Sequence, residues 1–163
     1  MDNLRLSAFC QRHPFGSGKS FNHKGTKAPK GQMKSFAPIP IALERIASDT
    51  IDAVYKVHKS LGPGLLESVY EKRLAYELSK RGLSVETQVP MPVVYEEVRL
   101  DAGLRLDMLV EGKLILELKS VEIMHPVFEA QLLTYLKLTG RRLGFLINFN
   151  VPLIKDGIKR MVL

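Results

Sequence analysis

Cysteine is almost missing from this 163-residue chain: Cys10 stands alone, which excludes an internal disulfide and a zinc site built from several thiolates. The four histidines, His13, His23, His58 and His125, are scattered without the short spacings of metal ligands. No run approaches the roughly 18 consecutive apolar residues that cross a bilayer, so no membrane partner is expected. Nor is there the apolar stretch of a secretory signal near the start, and the cytoplasm is the expected compartment, although residues 1–38 faintly resemble an organelle transit peptide in being basic and poor in acid. That stretch holds seven lysines and arginines against Asp2 alone, a net of +6.

A hydrophobic fraction of 45% and a charged fraction of 25% are those of an average soluble domain, and the length leaves room for one core. The net charge of +7 invites a nucleic-acid reading, but its distribution weakens it. Residues 39–163 hold 17 basic and 16 acidic side chains, a net of +1, so the high isoelectric point belongs to the tail and not to the domain. Residues 1–38 have no sustained periodicity, and Gly16, Gly18, Gly25, Pro29 and Gly31 are interleaved with polar residues. They are expected to form a disordered basic tail, with the folded domain spanning 39–163.

From Ile39, with Pro40 suited to a first turn, Ile46, Thr50, Val54, Val57 and Leu61 recur at helical spacing until Gly62-Pro63-Gly64. A second helix is predicted from about Leu65 to Arg81, with Leu66, Val69, Leu74 and Leu78 on its apolar side and Gly82 as terminator. The period then changes to two. Val85, Thr87 and Val89 alternate with polar residues, and Pro90 and Pro92 mark an edge or bulged strand. Arg99–Val110 and Lys113–Val121 form a hairpin about Glu111-Gly112-Lys113. A third helix fits Pro126–Thr139, and Leu143–Asn148 reads as a buried strand. The fold class is therefore α/β: a mixed sheet flanked by helices, in the order helix, three strands, helix, strand, with the first helical region divided in two.

Within the hairpin, strand geometry puts Asp107 on the face of Arg105 and Leu109, opposite Leu106, Met108 and Val110, while Glu117 and Lys119 share one face. Whether Asp107 meets Glu117 depends on the parity of the turn. Three turn residues align positions whose numbers sum to an even value and bring the two carboxylates together; two would separate them. The even register is expected. Paired carboxylates repel and lose hydration unless a cation neutralises them, and an oxygen-only ligand set suits Mg²⁺ or Mn²⁺. The plainer reading is a solvent-facing strand on which Glu117 and Lys119 make an ordinary salt bridge.

Gly64-Leu65-Leu66-Glu67-Ser68-Val69-Tyr70 resembles the signature of the GxxExxY protein family. Leu106-Asp107 with Glu117-Leu118-Lys119 is similar to the split motif of the PD-(D/E)XK nuclease superfamily, with Leu106 where that motif has proline. Gln131 and Tyr135 resemble the Gln-x-x-x-Tyr element of RecB-type nucleases, and the likeness runs from about residue 43 to 163. It implies a restriction-endonuclease-like fold, with Asp107 and Glu117 as metal ligands, the Leu118 carbonyl as a third and Glu67 completing the set. It also makes Lys119 the catalytic lysine and gives Gln131 and Tyr135, four apart on one helical face, a supporting role toward Lys119 or a phosphate. Tyr70 reads as structural, its ring packed and its hydroxyl bonded.

The expected function is Mg²⁺-dependent hydrolysis of nucleic-acid phosphodiester bonds, DNA being the expected partner, with pairing of two copies in keeping with many nucleases of this fold. The rival is a non-catalytic nucleic-acid-binding or regulatory module that keeps the nuclease fold. It draws on the near-neutral charge of the domain, because nonspecific grip on DNA rests on many Lys and Arg contacts. A small-molecule phosphate or nucleotide hydrolase is a third reading, neither supported nor excluded by the residues.

Overall fold

The computed structural model describes residues 37–163, with the side chains of residues 94, 95 and 99–102 left aside. Residues 1–36, the greater part of the expected basic tail, lie outside the described residues. The chain enters through Ala37 and Pro38, whose carbonyls accept hydrogen bonds from the Arg142 guanidinium.

Helix α1 spans Ile41–Leu61. Its buried stripe of Leu43, Ala47, Thr50, Ala53, Val54, Val57 and His58 follows the helical repeat that the sequence displays. Helix α2, Glu67–Lys80, buries Tyr70, Leu74, Glu77 and Leu78. Two of the residues expected on its apolar side, Leu66 and Val69, are instead exposed: the helix starts only at Glu67, and Tyr70 rather than Val69 faces the core. Glu77 is buried at the α1–α2 contact because Lys56 of α1, at 2.6 Å, and Arg81, at 3.5 Å, neutralise it.

Five strands follow the order β1-β2-β3-β4-β5 across one sheet. They are β1 Val85–Tyr95, β2 Val98–Val110, β3 Leu114–Lys119, β4 Leu143–Asn148 and β5 Ile158–Val162, with α3, Pro126–Thr139, between β3 and β4. The helix carries the chain back so that β3 and β4 run parallel, while every other neighbour is antiparallel. The proline-rich β1 lies at the sheet edge and shifts register between Met91 and Val93, where a missing N–H does least harm. The fifth strand, with the short 3₁₀ turn Ile154–Gly157 before it, was not expected. Only Met161 is buried along it, so its sequence carries little alternation.

Both faces of the sheet are covered. Leu114, Leu116, Leu118, Phe145 and Ile147 pack with α1 and α2, whereas Ile115, Leu109, Leu146 and Met161 pack with Leu132, Tyr135 and Leu136 of α3. The central strands thus read as nearly continuous apolar runs because neither side meets water.

Candidate active site

The β2–β3 turn comprises Glu111, Gly112 and Lys113, and Met108 pairs with Leu116, Leu109 with Ile115 and Val110 with Leu114. Each pair sums to 224, so the even register holds for these three pairs, and the ladder ends one step short of Asp107 and Glu117. Strict alternation fails at Asp107 itself. Leu106 joins the α3-side cluster with Leu109 instead of lying opposite it, which corrects its expected grouping with Met108 and Val110. The cause is local. Gln88, across from Asp107 on β1, has φ +52°, drops out of the ladder and donates its side chain to Glu71 Oε2 at 2.5 Å. With β2 turning away from β3, Asp107 Oδ2 accepts the Leu118 N–H at 2.8 Å, occupying the place of a strand partner.

Glu117 is only 1% exposed, which overturns the solvent-facing reading of this strand. Its Oε1 accepts from Lys119 Nζ at 2.6 Å, and Oε2 is buried with no hydrogen-bond partner among the described residues. Lys119 Nζ lies 3.9 Å from Asp107 Oδ2 and 5.3 Å from the centre of the Phe128 ring on α3. Burial, reinforced by the negative charge of Asp107, pushes the Glu117 carboxyl up to about 7 even though Lys119 opposes the rise. Burial also raises Asp107, against the pull of the Leu118 N–H and of Lys119. Lys119 is pressed down by burial but held higher by its bond to Glu117 and by the charges of Glu117, Asp107 and Glu67.

Glu67 opens α2, close enough to feel Lys119 and Asp107, and burial raises its carboxyl. Three carboxylates against one ammonium leave a net charge of −2 when all are ionised. Such a deficit, with a buried carboxylate oxygen lacking a partner and an oxygen-only donor set, fits a hard divalent cation. Among the described residues no group of three His, Cys, Asp or Glu side chains is arranged to hold a metal, so Glu67 neighbours the Asp107–Glu117 pair without completing a three-carboxylate cage. Mg²⁺ commonly takes only one or two protein carboxylates and keeps water in its other positions.

The signature around Glu67 has a structural logic. Tyr70 Oη donates to Gly62 O at 2.6 Å and accepts from Leu65 N at 3.2 Å, while its ring stacks on Phe149 at 4.4 Å. These contacts tie down the loop in which Gly64 takes φ +91°, a conformation that suits glycine, and thereby set where α2 begins. Gln131 and Tyr135 do share one face of α3, but they bond to each other, Nε2 to Oη at 2.9 Å; among the described residues neither hydrogen-bonds to Lys119.

Three further residues, Asn148, Gly157 and Ser120, brace the site. Asn148, 1% exposed and the parallel partner of Lys119, donates to Val121 O at 2.8 Å and accepts from Val121 N and Asn150 N, each at 3.1 Å. Phe149 N also donates to Lys119 O at 2.8 Å, so the end of β3 is gripped by the end of β4. Gly157 makes room for this grip, since a Cβ there would collide with Asn148 O. Ser120 Oγ donates to Leu65 O at 2.6 Å, linking the lysine strand to the glutamate loop. The grip of Asn148 is not visible before β3 and β4 are known to be neighbours.

A mixed sheet that brings two carboxylates and a lysine together at the divergence of two strands, with a helical glutamate beside them, defines a restriction-endonuclease-like domain. A family profile described as the PD-(D/E)XK nuclease superfamily matches residues 44–161, and the chain belongs to that superfamily. No curated protein and no solved structure matches it.

Proposed function

We propose that this domain is a Mg²⁺- or Mn²⁺-dependent nuclease that hydrolyses phosphodiester bonds of nucleic acid, with DNA as the expected substrate. The observation that carries the proposal is Glu117, a buried carboxylate with one oxygen unpartnered among the described residues, in a cluster whose carboxylates outnumber its cation. Asp107, Glu117 and the Leu118 carbonyl are the groups that would hold the ion, with Glu67 binding a water beside it. When bound, the ion lowers the pKa of water and polarises the phosphate. Lys119 is held protonated by its acidic neighbours and serves to orient the attacking water and to face the charge that grows on the phosphate. Leu118 N–H holds Asp107 in place. Gln131 and Tyr135 are supporting residues on the α3 side. Gly64–Tyr70 supports assignment to the GxxExxY branch. Among the described residues no helix is long and apolar enough to cross a membrane; a cytoplasmic enzyme, working singly or as a pair of copies, is the form we propose.

The test is a calorimetric Mg²⁺ and Mn²⁺ titration of the full chain and of Asp107→Ala, paired with cleavage of labelled DNA. Metal binding and metal-stimulated cleavage, both lost in the variant while its unfolding transition stays cooperative, are the expected results. Cleavage that survives in Asp107→Ala refutes the assignment, and metal binding without any turnover favours the non-catalytic module.

A further inference from the structure

The surroundings of the cluster are apolar to a degree that a duplex-binding face would not be. Leu66, immediately before Glu67, is 74% exposed, and Ile123 and Val127, on the segment that leads from Lys119 into α3, are 67% and 63% exposed. Leu65, Val69 and Met124 add further accessible apolar surface. The Ser120–Leu65 hydrogen bond at 2.6 Å joins the two chain segments, so exposed apolar residues stand on the two joined segments that lead into Glu67 and away from Lys119, here called the lips. Soluble proteins seldom leave such apolar surface clustered without a use.

A second feature lies between the second half of α1 and residues 152–155. An open cavity of about 380 Å³ is walled by Tyr55, Pro152, Leu153 and Ile154, with Lys59 and Lys155 among its lining; Lys56, also there, is already paired with Glu77. His58, also in its lining, sits 6.5 Å from the Phe149 ring, and the Phe149 amide is bonded to the carbonyl of Lys119. The cavity is thus one side-chain layer from the backbone of the candidate lysine. An accessible aromatic ring beside lysines is the combination that receives a base together with its phosphate.

We propose that the site takes unpaired nucleic-acid strands, the lips contacting splayed bases and the Tyr55 cavity receiving a flanking nucleotide. The inference rests on the nuclease reading for its substrate class and deepens it. A duplex hides its bases and presents two rows of phosphates, which aliphatic lips cannot pair with and which need many cationic contacts. Residues 39–163 carry a net charge of only +1. An unpaired strand exposes base faces, on which apolar and aromatic side chains add contacts to a smaller set of phosphate contacts than a duplex face needs.

The experiment measures binding of one labelled DNA oligonucleotide, single-stranded or annealed to its complement, to the full chain in EDTA, so that no cleavage is required. Single strands should bind about tenfold more tightly than the duplex, and Leu66→Ser/Ile123→Ser or Tyr55→Ala should each remove most of that preference while leaving duplex binding unchanged. These side chains are exposed or line an open cavity, and a thermal melt of each variant checks that it folds. Equal or tighter duplex binding overturns the proposal, as does failure to bind either form or a preference that the variants leave intact. A change in sedimenting mass in the lip variant also overturns it, because the lips would then cover a second copy of the chain. Cleavage of both forms in Mg²⁺ separates the two readings: no product, with the single-strand preference intact, removes the nuclease assignment alone; cutting confined to the duplex removes this one alone.

Discussion

Replacing Glu117 with Gln should stabilise the metal-free protein, and by an amount that depends on pH. Gln keeps the size of the side chain and an oxygen for Lys119, but it cannot ionise. In the folded protein the Glu117 carboxyl lies at about 7 against an ordinary value of 4.5, so the native state holds its proton more tightly than the unfolded chain. The stability this confers is complete below about pH 4.5, is lost steadily as pH rises and is gone above pH 7. At 1.36 kcal/mol per unit, the ionised wild type should sit about 3 kcal/mol below the variant at pH 8 and level with it near pH 4. For a domain of this size that is roughly 10 °C in melting temperature. Thermal and urea unfolding of both proteins in EDTA at the two pH values measures the difference. A gap that is the same at both, or a variant less stable at pH 8, would refute the claim that burial and Asp107 make this charge unfavourable. Adding Mg²⁺ at pH 8 should narrow the gap by stabilising the wild type alone.

Lys119→Met keeps the stem against Phe128 but removes the cation, so cleavage should fall by about 10² to 10³ while calorimetry finds divalent-metal affinity undiminished or higher; weaker metal binding would show that the lysine supports the ion. Asn148→Ala strands the N–H and C=O of Val121 and the N–H of Asn150, and should lower stability by roughly 2 to 3 kcal/mol in urea, with faster exchange of the Val121 amide. Tyr70→Phe keeps the stacking on Phe149 and loses both hydroxyl bonds, a loss of about 1 kcal/mol, read by urea unfolding and by exchange at Leu65. An unchanged Leu65 amide would show that the loop is held by other contacts.

Local patterns carried much of this fold. Helical spacing from Ile39 to Leu61, glycine after the first helix, the switch to a two-residue period at Ser84 and the apolar run Leu143–Asn148 each report on neighbours a few residues apart, and a single chain displays those directly. The turn Glu111-Gly112-Lys113 even conveyed long-range information, because its parity determines which face of β3 meets Asp107. Other features had no local signal. Strand β5 shows little alternation because only Met161 turns inward, and Leu66 looks like a core leucine until α2 is seen to begin one residue later. Leu106 changes face at the point where Gln88, on another strand, leaves the ladder. The site divides in the same way. Asp107, Glu117 and Lys119 were legible by spacing and resemblance, and Glu67 and the Gln131–Tyr135 pair by resemblance. The depth at which Glu117 is buried, the separation of Gln131 and Tyr135 from direct bonding to Lys119, and the grip of Asn148 on Val121 depend on which strands and helices lie side by side. Chemical identity and periodicity belong to the sequence, whereas desolvation and partnership arise only when distant segments exclude water from one another.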